Sequence, residues 1–226
     1  MTLKDIIIAG KLTISEGGGG GDDTILNQVV DKSYSGVLTL ATATSIGKGA
    51  LRGMDYLKEV IAPLATSVEE NGMYYCADLE HFHGPEITSI GTQAFSRAGT
   101  NSGLNNTVIV LPKLATTTGR AHFDRGAFKA IDIGSNLSAL SADCFYHNTG
   151  AQTVKALILR KSDAVVTTPS TNAINGLRDV YVPSSLISSY EAAANWETRV
   201  TEGYITFHAI EGSIYETHYA DGTPIA

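Results

Sequence analysis

Charge is scarce in this chain. Asp, Glu, Lys and Arg make up 17% of its 226 residues, against roughly 25% in an ordinary soluble protein. Positive charge is the scarcer sign: 16 Lys and Arg face 23 Asp and Glu, a formal net charge of −7. No basic run exceeds Arg160-Lys161, so the clustered positive footprint of a nucleic-acid binder is missing. Long apolar runs are missing too, and none approaches the ~20 residues that cross a bilayer. The run Ile6-Ile7-Ile8-Ala9 is far shorter than a signal-peptide core and follows Asp5, so no export signal is expected. Two cysteines, Cys76 and Cys144, are too few for a disulfide scaffold and read as small buried apolar residues. The composition excludes a highly charged disordered chain and a Glu-, Lys- and Leu-rich bundle. Gly, at 23 residues, together with Thr, Ser, Ala and Asn, suits short strands joined by tight turns.

Residues 1–16 read as an N-terminal arm and residues 17–22 as a linker. The run Gly17 to Gly21 has no side chain to pack. It ends in Asp22-Asp23 instead of the Gly-Lys-Ser/Thr of a phosphate loop. Residues 23–36 read as an N-terminal cap, with Asp23-Thr24 starting a short helix through Ile25, Leu26, Val29 and Val30.

Beyond the cap the chain repeats. Thr44-Ser45-Ile46, Thr66-Ser67-Val68 and Thr88-Ser89-Ile90 are each followed five residues later by a larger apolar residue, Leu51, Met73 or Phe95. The aliphatic column continues less cleanly at Thr118, Leu140 and Val166, and the large column at Phe123 and Phe145. A third column is Leu57, Leu79, Leu104, Phe128, Val154 and Leu177. A short strand follows in each unit, beginning at Leu38, Val60, Phe82, Ile109, Ile131, Leu157 and Val180, spacings of 22, 22, 27, 22, 26 and 23. Pro63, Pro85, Pro112 and Pro183 close four of these strands, where no ladder N–H is needed.

One strand per 20 to 29 residues is the period of a leucine-rich-repeat solenoid. A single coil cannot bury its own apolar columns, whereas stacked coils bury them against each other. The predicted fold is therefore an α/β solenoid, right-handed, with about 6–7 repeats of 22–28 residues over 37–183. Short parallel strands line the concave face, and 184–226 forms a helical cap and tail. Cys76 and Cys144 fall about three coils apart, ~14 Å at ~4.8 Å per strand, beyond the ~7 Å reach of a disulfide.

These columns resemble the BspA-like leucine-rich repeat family of bacterial surface and phage-associated proteins. Its pattern of Ile-Pro, Ser-Ile-Gly, Ala-Phe and a Cys ahead of the next Leu is clearest in Thr88-Ser89-Ile90-Gly91-Thr92-Gln93-Ala94-Phe95 and Cys76-Ala77-Asp78-Leu79. The copy at Thr116 to Phe128 departs from it, with Thr118-Gly119 and His122-Phe123 in place of Ile-Gly and Ala-Phe. The segment from Val180-Tyr181-Val182-Pro183 to Asn195-Trp196 is similar to the ending of a phage and prophage subgroup, as is the Lys4 to Leu12 entry. Ser184 or Ser185 would cap a helix carrying Leu186, Ile187 and Tyr190, with Trp196 as a lid on the last coil.

Catalytic signatures are missing: there is no Gly-x-Ser-x-Gly elbow and no supported Cys–His pair. Asp22-Asp23 and Glu69-Glu70 are adjacent carboxylates whose side chains point apart, unlike a glycosidase pair. His81 and His83 share one face of a strand, but a zinc site wants three or four ligands and the neighbouring Ile61 and Val110 are not ligands. No metal or cofactor is expected. The surface remains: Glu59, Ile61, His81, His83, Val110, Asp132, Ile158 and Tyr181 face the concave side, where solenoids bind partners.

The sequence thus predicts a non-enzymatic recognition or structural module that binds protein or glycan through its concave face. The resemblance implies a phage or prophage tail-associated or virion surface protein, cytoplasmic before assembly, with other virion proteins as partners. A bacterial cell-surface adhesin is the alternative reading, and a hydrolase on a solenoid scaffold the remote one. Neither nucleic-acid binding nor membrane insertion is expected.

Overall fold

The computed structural model describes residues 36–102, 106–148 and 152–225 in full. It also gives the backbone pairing of β1 (Ile7–Ile8), β2 (Lys11–Thr13) and β3 (Ile25–Leu26). The predicted polyglycine linker lies outside the described residues, as does most of the arm.

The main sheet stacks one strand per coil. Its strands are β4 (Gly36–Thr39), β6 (Leu57–Ile61), β8 (His81–His83), β10 (Val108–Leu111), β12 (Phe128–Ile133), β13 (Val154–Leu159), β14 (Asp179–Val182) and β15 (Thr206–Ala209). They pair in parallel in that order, with β2 beside β4 and β1 antiparallel to β2. The register follows the sequence columns: Leu38 faces Val60, then Phe82, Ile109, Ile131, Leu157, Val180 and Phe207 in turn. All eight side chains are buried in the solenoid core. The sheet thus runs one strand past position 183, through β15.

A second sheet holds what the sequence reading missed. β5 (Ser45–Ile46), β7 (Ser67–Val68), β9 (Ser89–Ile90) and β11 (Thr116–Thr117) pair in parallel, with β3 beyond β5. Two-residue strands are too short to show an alternating pattern. Their regularity comes from threonine. The Thr66 hydroxyl donates to the Thr44 carbonyl, Thr88 to Thr66 and Thr116 to Thr88, at 3.2, 3.2 and 3.4 Å. Ile25 and Leu26 join this sheet opposite Ser45 and Ile46, so the expected helix does not start there: pairing with the first coil satisfies their backbone instead.

The same sheet corrects the aliphatic column, because Thr117, and not Thr118, pairs with Ile90. The coil carries one extra residue at Gly119, which sits at φ +82. A side chain there would meet the Thr92 hydroxyl. Between the sheets the chain makes tight turns in which each coil donates to the next. The N–H groups of Leu51, Met73, Phe95 and Phe123 reach the carbonyls of Gly72, Ala94, His122 and Cys144 at 2.8–2.9 Å. This stacks Leu51, Met73, Phe95, Phe123 and Phe145 as read. Successive rings of the last three lie 5.5 and 5.4 Å apart and nearly parallel. The third column is buried at Leu57, Leu79, Phe128, Val154 and Leu177, while Leu104 lies outside the described residues.

At the C-terminal end a 3-10 turn at Ser184–Leu186 leads into α1 (Ile187–Glu191), followed by α2 (Trp196–Thr201). Neither Ser184 nor Ser185 caps α1 with its hydroxyl. The 3-10 turn takes up both residues, and the Ser184 N–H is satisfied from outside by Glu211 at 2.8 Å. Trp196 is fully buried, donates its indole N–H to the Val166 carbonyl at 2.9 Å, and meets Tyr190 and Phe207 edge-on. Among the described residues no helix is long and apolar enough to cross a membrane.

Candidate concave recognition face

Strand alternation puts one set of side chains into the core and the other onto the concave face. The parallel register aligns that second set into two ladders. One runs Val37, Glu59, His81, Val108, Ala130, Ala156, Asp179 and Thr206. The other runs Thr39, Ile61, His83, Val110, Asp132, Ile158, Tyr181 and His208. All eight sequence candidates lie on these ladders, six of them consecutive along one.

The two halves of the face differ. Glu59, Ile61, His81 and His83 are half-exposed. Val110, Asp132 and Ile158, read as exposed, are buried at 7%, 0% and 0%. They point away from the core as expected, but the C-terminal segment lies over them. Residues Tyr215, Tyr219 and Ala220 pack on a separate apolar cluster of Val108, Val110, Ala130, Ala156, Ile158 and Ile210. Tyr181 is also drawn into this layer, edge-on to Tyr215 at 4.7 Å and stacked on His208 at 4.9 Å.

The sequence carried a signal for this cover. β6 (Leu-Lys-Glu-Val-Ile) and β8 (His-Phe-His) carry charged or polar residues off the core, whereas β10 reads Val-Ile-Val-Leu and β12 and β13 are apolar but for their lysines and Asp132. A strand apolar on both faces is a strand covered on both faces. No pattern in the tail itself pointed to where it would dock.

The electrostatics follow the burial. Asp132 forms a bidentate pair with Arg160, both contacts at 2.7 Å. Burial pushes the Asp132 carboxyl up and the guanidinium pulls it back. His83 sits at the border of the two halves. Its Nε2 lies 3.3 Å from Glu59 Oε1 and its Nδ1 3.4 Å from Asp221 Oδ2, and its ring stacks on His81 at 6.0 Å. Among the described residues no group of three or more His, Cys, Asp or Glu is arranged to hold a metal ion.

The cysteines carry no reactive character. Both are free and buried. Burial pushes the Cys76 thiol up to about 12 and Cys144 higher still, so neither presents a thiolate near neutral pH. A shallow open groove of about 480 Å³ lies on the second sheet along Ser67–Glu70 and Ser89–Thr92. Its acidic groups are already engaged: Glu69 accepts from the Lys48 N–H at 3.0 Å, and Glu70 pairs with the Lys48 ammonium at 2.8 Å.

Comparison with known proteins agrees with this architecture. The BspA type leucine rich repeat region matches over residues 33–152 and 66–193, in 6 copies. The chain belongs to the BspA-type leucine-rich repeat family. No curated protein matches it. In this BspA-type chain the matched region ends at residue 193. Trp196, β15 and the segment that seals half of the concave face therefore lie beyond it.

Proposed function

We propose that this BspA-type solenoid is a non-enzymatic recognition module that binds a protein partner through the open half of its concave face. The observation that carries the reading is the division of that face. The tail seals the strands from β10 onward and leaves Glu59, Ile61, His81 and His83 accessible on β6 and β8. The open strip is shallow, two ladders wide, and mixes an aliphatic group with imidazoles and a carboxylate. Among its described residues the strip carries no Trp, Tyr or Phe on which a sugar ring would stack, which favours protein over glycan. The similarity of the chain's two ends to the phage subgroup supports placing that partner on a phage particle.

A photocrosslinker at Ile61 of the full chain, in cells producing phage, tests this directly. One virion protein is expected in the crosslinked product, and Glu59→Ala and His83→Ala should each weaken binding to the purified protein by about tenfold, the loss of one central contact. A glycan array should stay blank. If both variants bind as well as the parent, or a glycan binds and His83→Ala abolishes it, the reading is wrong.

A further inference from the structure

The sealed half of the concave face has the construction of a peptide site. Past Ala209 the chain turns back and lays residues 210–225 over β10, β12, β13 and β14. The segment adds no strand to either sheet. It folds on itself through one antiparallel bridge, His218 to Pro224, around a turn with Gly222 at φ +87. Its main chain and its side chains both hold it to the solenoid, Asp221 by its contact with His83. Arg160 donates to the carbonyls of Tyr215 and His218 at 2.7 and 3.0 Å. Asp132 accepts the Ala220 N–H at 2.9 Å. The same guanidinium lies 5.0 Å from the Tyr219 ring centre, and Tyr215 meets Tyr181 edge-on.

A fixed Asp–Arg pair thus reads two carbonyls and one N–H, and an apolar floor takes two aromatic rings. Receptors hold peptides in this way, with main-chain hydrogen bonds for affinity and side-chain seats for choice. The pair belongs to the strands and the loop just after them, so it stays in place whatever occupies the groove. The occupant is loosely tied. It pairs with no strand of either sheet, it leaves the last helix and strand through Gly212 at φ +77, and Ile214 is 75% exposed.

We propose that the groove over β10 and β12 to β14 is a peptide-binding site held in cis by residues 212–225. A partner segment of the same chemistry displaces this tail: two aromatic residues four apart on a main-chain turn that offers two carbonyls and an N–H. The site adjoins the open half of the face through the Asp221–His83 contact, but its polar anchor is the Asp132–Arg160 pair, so loss of binding at the open half would not decide it. Because the tail is tethered, it competes at an effective concentration of about millimolar, so the unaltered chain binds such a segment weakly.

The probe is a fluorescent synthetic peptide of residues 211–226, titrated by anisotropy into the unaltered chain and two variants. The Tyr215→Ala/Tyr219→Ala chain, whose own tail has lost its rings, is expected to bind the peptide at least about tenfold more tightly than the unaltered chain. Adding Arg160→Gln should remove that binding. A folded double variant that does not bind the peptide, or binds it no better than the unaltered chain, overturns the proposal. Hydrogen exchange on the unaltered chain gives a readout that does not depend on the variant folding. The Ala220 and Gly222 amides should exchange at least tenfold faster than those of Ile131 and Leu157. Equal protection of all four would mean that the tail opens only with the whole fold, and the proposal would fail.

Discussion

At the scale of single residues, His122 shows what an irregular coil can hide. It stands in the column of Ala94, one coil on, and its fully buried ring donates from Nδ1 to the Gly91 carbonyl at 2.6 Å. Among the described residues its Nε2 has no partner. Burial pushes the imidazole down to about 4 from an ordinary 6.5, so the folded chain keeps it neutral. The sign of the pH effect follows. The unfolded chain takes up a proton near 6.5 and the folded one only near 4, so stability is intact above 6.5 and drains away as the pH falls between those values. A displacement of that size corresponds to about 3 kcal/mol. Urea unfolding at pH 7, 5.5 and 4.5 should show His122→Ala losing less stability than the parent across that span, whatever its cost at pH 7. Equal losses would show that His122 does not set the slope. The sequence showed His122 only as a departure from Ala-Phe. The extra residue at Gly119, which shifts the local register, was invisible because Thr118 stands five residues before Phe123, the spacing of the regular coils, and so took the place of Thr117 in the column.

Whole elements were legible in proportion to their length and periodicity. The main-sheet strands stood out because one buried residue recurs in each coil, and the register confirms every member from Leu38 to Val180. The second sheet did not, since its strands contribute only two residues each. The cap lies between these cases. Tyr190 and Trp196 were readable as large groups packed after the repeats, but the hydrogen bonds that fix them and the β15 strand beyond them were not. The Val166 N–H donates to the Tyr190 hydroxyl at 2.9 Å while the Val166 carbonyl accepts from Trp196, so one residue of the penultimate layer holds both lid rings. Burial pushes the Tyr190 phenol up to about 12, and it stays a neutral acceptor at any ordinary pH. Tyr190→Phe keeps the ring and orphans a buried N–H. It should cost about 1–3 kcal/mol, read from the urea midpoint at unchanged slope. A cost below about 0.3 kcal/mol would mean that the cap is held by ring packing alone.

The whole molecule is a stack in which each coil touches its neighbours, the arrangement that makes solenoid stability a sum of local terms. The C-terminal segment departs from that rule. It contacts His83 on β8 through Asp221, Asp132 on β12 through Ala220, and Arg160 after β13 through Tyr215, so one short segment links β8 to β12 and β13, strands that it does not pair with in the sheet. The Asp132–Arg160 pair is the pivot of this tie, and its energetics can be separated. Arg160→Met leaves a carboxylate buried without its counter-charge and should cost about 3–5 kcal/mol. Replacing both, as Asp132→Val with Arg160→Met, removes the stranded charge and gives the groove floor another aliphatic group beside Val110 and Ile158. Exchanging a buried ion pair for apolar groups of similar size is often neutral or stabilising. The double variant should therefore recover more than half of the single variant's loss. Its tail should nonetheless be freer, because no fixed donors remain for the Tyr215 and His218 carbonyls. Stability recovered together with faster amide exchange at Ala220 would separate the two contributions of the pair, placing its value in holding the tail and not in holding the stack. If the double variant is as unstable as the single one, the pair supports the solenoid itself.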